Sequence, residues 1–186
     1  GKPLALQLGG NYKNNNPVTF DGTSWNADPV IYWGEGKYDV YAYYPFMIPE
    51  SVDELAFSVA LDQRVEETSD ALSAYEASDF LYASKKGVAS ADGDVNLLFK
   101  LTVNLVKGDD FEGDIPSDLT VYIHNTVTDC LIDLATGDVI KDPYAPAKTV
   151  TARKDSDSRY TAIIVPQMLT NKKPLLEIIF KDVSYM

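Results

Sequence analysis

The chain has 186 residues, of which 45% are apolar and 11% are aromatic, and this composition predicts a globular domain with a hydrophobic core. The 16 basic residues against 28 acidic ones give a net charge of −12, which argues against nucleic acid and an anionic membrane surface as partners. The one cysteine, Cys130, excludes an internal disulfide bond, and no run approaches the roughly 18 apolar residues of a membrane-spanning helix.

Apolar and polar residues alternate with a period of two along much of the chain, which is the pattern of strands with one buried face. The predicted strands, in chain order, are Leu4–Leu8, 37–44, 55–61, 95–105, 119–123, 130–134, 138–140, 149–153, 160–165 and 175–180. Turn-forming residues separate them, and Gly137 suits a tight hairpin turn because glycine readily adopts positive φ. Alternation, rather than solid apolar runs, favours antiparallel sheets.

The segment 66–83 is the exception to this alternation. It is rich in alanine and contains Leu72 and Tyr75, so it favours a helical turn or an irregular crossover between sheets. No internal repeat and no break in composition divides the chain. The sequence therefore predicts an all-β fold, an antiparallel β-sandwich with one short helical or irregular crossover, built as a single domain over 1–186.

Residues suited to catalysis are scarce. The one histidine, His124, lies six residues from Cys130, and an unbroken strand would separate the two by about 20 Å, too far for a thiol–imidazole pair. One histidine and one cysteine also fall short of a zinc site. Among the carboxylates, Asp62 beside Gln63 is the candidate for glycosidase chemistry, but no carboxylate pair stands out. We therefore predict no enzyme activity, no catalytic residue and no cofactor.

Calcium is the metal that the acidic residues suit best, because it prefers carboxylate oxygens. The acidic clusters are Asp109, Asp110, Glu112 and Asp114 in one loop, and Asp155 and Asp157 in another. Neither cluster has the spacing of a helix–loop–helix calcium loop. Solvated acidic loops are the favoured interpretation, and we predict no metal site.

Aromatic residues are concentrated between positions 25 and 44. On the strand at 37–44, Tyr41 and Tyr43 share the face opposite Tyr38, so at least one face carries exposed or interface-buried rings. Such rings could form a platform for sugars, and the alternative function is therefore a cell-surface glycan-binding module. Its candidate residues are Trp25, Trp33, Tyr41 and Tyr43. The competing interpretation, in which both faces of the sheet are covered, is favoured.

Four short strings share an order and spacing that extend over most of the chain. They are Val-Tyr-Ala-Tyr-Tyr-Pro-Phe at 40–46, Asp-Phe-Leu-Tyr-Ala at 79–83, Val-Asn-Leu-Leu-Phe-Lys-Leu at 95–101 and Val-Pro-Gln at 165–167. Taken together, these strings resemble the fimbrillin-like family of bacterial surface fimbriae. The resemblance implies a transthyretin-like β-sandwich that forms the amino-terminal domain of a longer surface protein.

The same resemblance implies a function. Family members resemble exported lipoproteins that pass the outer membrane, assemble into fimbriae at the cell surface and support adhesion. The implied partners are other fimbrial subunits and a host or bacterial surface ligand, and the membrane is reached only through a lipid anchor outside this chain. In that scheme an amino-terminal strand is removed and a donor strand from the next subunit takes its place. The candidate residues for this exchange are Leu4, Leu6 and Leu8, and we expect residues 1–8 to add a strand at a sheet edge.

The chain also departs from the family pattern. Leu101 stands where the family usually has histidine. The family usually adds a second sandwich domain and a carboxy-terminal donor segment, and this sequence stops soon after the strand at 175–180, so we expect either a fragment or a shortened member. The first arginine is Arg64, so arginine-directed removal of the first strand is unsupported. The adhesion ligand and the position in a fibre (stalk, tip or anchor) are left open.

Overall fold

The computed structural model of the chain describes residues 4–8, 15–30, 38–88, 99–104, 116–156, 158–169 and 172–186. For 4–8, Trp25, Tyr38, 87–88 and 99–104 it gives the course of the backbone only. Across these stretches, no helix is long and apolar enough to cross a membrane.

Fifteen strands and one short helix form within the described ranges. In chain order they are β1 (Leu4–Leu8), β2 (Asn16–Phe20), β3 (Trp25–Ala27), β4 (Tyr38–Tyr44), β5 (Leu55–Ser58), α1 (Ala74–Ser78), β6 (Leu81–Val88), β7 (Phe99–Asn104), β8 (Thr120–Thr126), β9 (Asp129–Ile132), β10 (Val139–Lys141), β11 (Lys148–Thr151), β12 (Arg153–Ser156), β13 (Arg159–Ile164), β14 (Leu176–Phe180) and β15 (Val183–Tyr185).

The strands form sheets with the orders β3-β2-β1-β4-β6, β10-β9-β5, β11-β8-β14-β15 and β12-β13-β7. The strand pairings whose registers are defined are antiparallel, as the alternating pattern predicts. An isolated parallel bridge joins Asp62 to Thr151. The predicted fold class, an all-β antiparallel β-sandwich with one short helix, is confirmed.

Several predicted boundaries need correction. The crossover predicted over 66–83 is too long, because the helix covers only Ala74–Ser78 and β6 already begins at Leu81. Packing of Phe80 and Tyr82 in the core overrides the helix preference of the neighbouring alanines. The predicted strand at 149–153 is divided at Ala152, where the chain leaves β11 and enters β12 in a different sheet. Of the strand predicted at 95–105, residues 99–104 are described, and 95–98 and 105 lie outside the described residues.

Three strands that take part in hairpins, β2, β3 and β15, were missed by the sequence pattern. Strand β2 begins with Asn16 and Pro17, which resemble turn residues, although proline is tolerated near the start of a strand. Strands β3 and β15 have three residues each, too few for an alternating pattern to show. Gly137 does adopt positive φ, at 82°, as predicted for the turn between β9 and β10.

The chain divides into two compact units, each assembled from three separate stretches. The first unit consists of Gly1–Phe57, Asp79–Leu97 and Leu131–Ile140, and the second consists of Ser58–Ser78, Leu98–Cys130 and Lys141–Met186. The stretches of the two units interleave along the sequence, which is why no break in composition marks them. A single domain over 1–186 stays a prediction.

The core of the first unit is aromatic. Phe80 is 1% exposed, and its ring stacks on Tyr43 with the centroids 5.8 Å apart. Phe57 meets the ring of Phe80 edge-on at 5.2 Å. The hydroxyl of Tyr82 donates a hydrogen bond to the carbonyl oxygen of Leu134. These side chains combine a large buried apolar area with directional ring contacts, which fixes their relative positions.

The core of the second unit lies between two of its sheets. Strands β8 and β11 contribute Val121, Ile123 and Val150, and strand β13 contributes Tyr160 and Ala162. All five side chains are buried, and the odd positions of β8 point inward as the alternation predicts. The second unit is therefore a two-layer packing of antiparallel sheets.

Two glutamines in the second unit complete backbone hydrogen bonding. The buried amide of Gln63 donates to the carbonyl oxygen of Ile163 at 2.7 Å and accepts from the Ile163 N–H at 2.8 Å. Gln167 does the same for Val127, with both distances at 2.9 Å. Each glutamine supplies the backbone partner that a neighbouring strand would otherwise supply. Gln63, which the sequence placed beside a candidate catalytic carboxylate, therefore has a structural role.

Thr126 is a polar side chain buried without compensation. It is fully buried, and its hydroxyl has no hydrogen-bond partner among the described residues. We expect Thr126→Val to raise the free energy of unfolding by about 1 kcal/mol, because valine has the same shape and removes the cost of burying an unpaired hydroxyl. Chemical denaturation measures the difference.

The matched control for this substitution is Thr161→Val. Thr161 is also buried, but its hydroxyl donates to the Asp155 carboxylate at 2.9 Å. This second variant is expected to lose roughly 1 to 3 kcal/mol, since it removes a hydrogen bond from a buried hydroxyl to a carboxylate. A destabilised Thr126→Val protein would contradict the assignment of an unpaired hydroxyl.

Candidate strand-exchange site

Strand β1 lies inside a sheet and not at its edge. In the order β3-β2-β1-β4-β6 it has β2 on one side and β4 on the other. The prediction that residues 1–8 add a strand at a sheet edge is therefore wrong. The reason is the β2–β3 hairpin, which the sequence pattern missed and which pairs with the side of β1 that faces away from β4.

The register shows which strands would lose their partner if β1 left the sheet. Toward β2 the pairs are Leu4 with Val18, Ala5 with Pro17 and Leu6 with Asn16, and toward β4 they are Ala5 with Tyr43, Leu6 with Ala42, Gln7 with Tyr41 and Leu8 with Val40. All three predicted exchange residues thus have strand partners. In the described sheet β1 is the strand that joins the β2–β3 hairpin to β4 and β6. Its loss would leave two facing strand edges, about 10 Å apart and roughly 17 Å long.

The β4 wall of this groove is held by buried side chains. Tyr41 and Tyr43 are 5% and 0% exposed. The hydroxyl of Tyr43 donates to Oδ1 of Asn15 at 2.8 Å, and Nδ2 of Asn15 donates to the carbonyl oxygen of Met47 at 2.6 Å. Burial raises the pKa of Tyr43 to about 12, so its hydroxyl stays a neutral donor even in the alkaline range where an exposed tyrosine ionises. Asn15 directly precedes β2, and this network therefore ties the start of β2 to β4.

Two of the family-like strings form neighbouring strands of the sheet that contains β1. The string at 40–46 supplies most of β4, and the string at 79–83 supplies Phe80 and the start of β6. In the register between these strands, Tyr43 pairs with Tyr82 and Ala42 pairs with Ala83. The pattern at 79–83 was the sequence signal for Phe80, whereas no local pattern indicated that Asn15 binds Tyr43.

The glycan platform proposed from the sequence loses two of its members. Tyr41 and Tyr43 are buried, so their rings cannot be offered to a sugar. The alternation correctly placed them on one face of β4, but that face is covered by the aromatic core around Phe80. Trp33 and the side chain of Trp25 lie outside the described residues, and their role in glycan binding stays a prediction.

The candidate catalytic residues have structural contacts. His124 bonds Thr149 and Glu177 rather than Cys130, and Cys130 is buried. Asp62 forms an ion pair with the exposed Arg64 at 2.7 Å, which lowers the pKa of its carboxyl group through the hydrogen bond to the guanidinium. None of these contacts presents a nucleophile together with a general base.

The predicted acidic clusters are only partly described. Asp109, Asp110, Glu112, Asp114 and Asp157 lie outside the described residues. The carboxylate of Asp155 is engaged by Arg153 at 3.7 Å, by Arg159 at 3.3 Å and by the Thr161 hydroxyl. Within the described ranges no group of three or more metal-ligating side chains comes together.

The thiol of Cys130 is expected to be unreactive in the folded protein. Burial, with a smaller contribution from the neighbouring Asp129 carboxylate, raises the pKa of Cys130 to about 12. Alkylation requires the thiolate, so we expect iodoacetamide at about pH 8 to label the native protein at least 100-fold more slowly than the unfolded protein, by rough estimate. Mass spectrometry of timed samples measures the rates. Native and unfolded rates within about tenfold of each other would contradict the burial of Cys130.

These features define an antiparallel β-sandwich protein in which the first strand lies between two others. A comparison with protein families agrees with this class and narrows it to one family. The family profile described as Fimbrillin-like matches residues 5–185. The chain belongs to the fimbrillin-like family. A comparison with curated proteins returns no match.

Solved structures with a similar fold come from Bacteroides. A proposed cell adhesion protein from Bacteroides ovatus has a TM-score of 0.67 and 19% identity, over 100% of this chain and 75% of that one. One from Bacteroides uniformis has a TM-score of 0.69 and 19% identity, over 96% of this chain and 72% of that one. A third, from Bacteroides thetaiotaomicron, has a TM-score of 0.57 and 16% identity, over 100% of this chain and 69% of that one. At this level of identity the likeness establishes the fold alone.

Proposed function

We propose that the chain is a structural subunit of cell-surface fimbriae that supports adhesion and assembles with other subunits by strand complementation. The observation that carries this proposal is the position of β1 between β2 and β4. Replacement of an interior strand by a strand from another chain restores two rows of hydrogen bonds, where an added edge strand would gain one row. Family membership and the description of the neighbours as proposed cell adhesion proteins support the fimbrial role.

In this proposal β1 is a placeholder for a donor strand. Removal of Leu4–Leu8 exposes the unpaired N–H and C=O groups of β2 and β4, which form a template for an extended segment. The donor comes from another fimbrial subunit, and it would satisfy both edges at once. Residues 1–186 act as one β-sandwich domain at the amino-terminal end of a longer protein. The protein is exported through the outer membrane and is attached to it only through a lipid anchor outside this chain.

We also infer a non-enzymatic role. His124 and Asp62 are committed to hydrogen bonds and an ion pair, and the thiol of Cys130 is buried. The fimbrillin-like family supports the same inference. Function would then depend on assembly and on a host or bacterial surface ligand, and no cofactor is involved.

The fimbrial role is tested by immunogold electron microscopy on the bacterium that encodes the chain. Antibodies raised against the folded chain are expected to label filaments on the intact cell, and deletion of the gene is expected to abolish the labelled filaments. A gene deletion restored by a plasmid copy provides the control. Labelling confined to the cell interior, or filaments of unchanged number and labelling after the deletion, would rule out the fimbrial role.

A further inference from the structure

A row of hydrogen bonds crosses all four strands of the sheet β11-β8-β14-β15. Nδ1 of His124 lies 2.8 Å from the Thr149 hydroxyl, and Nε2 lies 2.7 Å from Oε2 of Glu177. The hydroxyl of Ser184 donates to Oε1 of Glu177 at 2.5 Å. Because a carboxylate only accepts, Nε2 of His124 carries the hydrogen. The row holds both His124 and Glu177 in fixed positions while 24% and 15% of their side chains remain exposed.

A β-bulge opens the sheet at this row. Thr126 pairs with Lys148 and Ile123 pairs with Val150, so His124 and Asn125 together stand opposite Thr149 alone. Asn125 adopts positive φ, at 57°, and its Nδ2 donates to the carbonyl oxygen of Pro174 at 2.5 Å. Asparagine tolerates this conformation better than most residues.

A shallow depression of 310 Å³ lies at the bulge, and we name it the bulge pocket. Its polar lining consists of His124, Asn125, Lys148, Thr149 and Glu177, and Ala147, Pro174 and Met186 contribute apolar surface. The volume is at the lower end of the range for small-molecule sites, which suits one ring and no larger ligand.

The polar groups of the bulge pocket keep hydrogen-bonding capacity after their structural contacts are made. Each oxygen of Glu177 accepts one hydrogen bond and has a further lone pair. The ammonium of Lys148 uses one of its three hydrogens on Asp129, at 2.8 Å, and the amide of Asn125 uses one of its two on Pro174. The pocket therefore offers fixed acceptors beside fixed donors.

This combination selects the chemistry of the ligand. An anion would face the carboxylate of Glu177, and a cation would face the ammonium of Lys148. A neutral ring with adjacent hydroxyl groups can donate to the carboxylate and accept from Lys148 or Asn125, while its C–H face rests on Pro174 and Ala147. We propose that the bulge pocket binds the terminal sugar ring of a surface glycan. This inference deepens the proposed adhesive role and rests on it for its biological meaning.

The test is an NMR titration of the full chain with methyl α-D-mannopyranoside, methyl β-D-galactopyranoside and N-acetylglucosamine, each to about 50 mM, with sodium acetate and ethylammonium chloride as charged probes. At least one sugar is expected to shift the backbone amides of His124, Asn125 and Lys148 saturably, with a Kd of about 1 to 10 mM. Neither charged probe is expected to do so.

Two variants separate binding from structure. Asn125→Gly keeps a residue that accepts positive φ, and Lys148→Met removes the ammonium, so both are expected to keep the fold and weaken sugar binding at least about fivefold. The matched control is Lys154→Met, because Lys154 is also a lysine whose ammonium makes a structural hydrogen bond, in its case to the backbone carbonyl of Ser117, and Lys154 does not line the pocket. Thermal melts verify the fold of each variant.

The proposal is overturned if no sugar shifts these amides, if a charged probe shifts them equally, or if both variants bind the sugar as well as the Lys154→Met protein does. If the residues of the row have only a structural role, the two substitutions would change thermal stability and leave the sugar titrations unaffected. If the chain binds a sugar but no filaments are labelled, the sugar site stands and the fimbrial role is ruled out. If filaments are labelled but the chain binds no sugar, the fimbrial role stands and the sugar site is ruled out.

Discussion

Phe80→Ala is expected to lower the free energy of unfolding by about 3 to 5 kcal/mol, the range found for deleting a buried aromatic ring. Phe80 is 1% exposed and contacts two other rings, those of Tyr43 and Phe57. The substitution therefore removes buried apolar area and leaves a cavity behind β4 and β6. Equilibrium unfolding in urea, followed by circular dichroism, measures the change.

The control for this variant is Leu81→Ala at the next position. Leu81 is 39% exposed, so its truncation is expected to cost less than about 1 kcal/mol. If both substitutions destabilise the protein equally, the aromatic cluster does not form the core of the first unit.

Leu6→Pro is expected to destabilise the chain by roughly 3 kcal/mol, combining a lost hydrogen bond with the distortion that proline imposes inside a sheet. Leu6 pairs with Asn16 of β2 and with Ala42 of β4. Because β1 has a neighbour on both sides, the N–H of Leu6 meets a strand whichever way it points. Proline has no N–H and is tolerated mainly on edge strands. Urea unfolding of the purified variant measures the loss.

Leu6→Ala retains the N–H and provides the comparison for the proline variant. The difference between the two unfolding free energies isolates the backbone effect from that of the side chain. An edge position for β1, as the sequence suggested, would let proline and alanine give similar values. With β1 in the interior of the sheet, the Leu6→Pro protein is expected to have a clearly lower free energy of unfolding than the Leu6→Ala protein.

The alternating pattern predicted well where the strands form, but it did not predict which strands pair with each other. Leu4–Leu8 was located in full, because alternation is a property of five consecutive residues. Its interior position was not predictable, since it depends on β2, whose Asn16 and Pro17 resemble a turn. Alternation also grouped Tyr41 with Tyr43 but could not say which face of β4 is buried. The buried face is the one that packs against Phe80, and Phe80 lies far along the sequence from β4.

The bulge pocket shows the same limit. The hydrogen bond between His124 and Glu177 joins residues 53 positions apart, and the bulge that brings in Thr149 depends on one residue with positive φ, Asn125. The alternation along β8 puts His124 on the face opposite Val121 and Ile123. It could not supply the partners, because pairing between strands that are distant in sequence leaves no trace in a local period.

Assembly by strand complementation requires β1 to be a replaceable interior strand, and release followed by rebinding of that strand tests this requirement most directly. A protease site inserted between Leu8 and Asn15 allows β1 to be cut from the folded chain and removed in mild denaturant. A fluorescent peptide with the sequence of residues 1–8 is then titrated into the cut protein, and anisotropy is recorded. If β1 is replaceable, the peptide binds saturably with one-to-one stoichiometry and restores thermal stability, and the same peptide carrying Leu6→Pro does not bind. A cut protein that keeps its full stability without β1, or that takes up neither peptide, would show that β1 is not a replaceable strand.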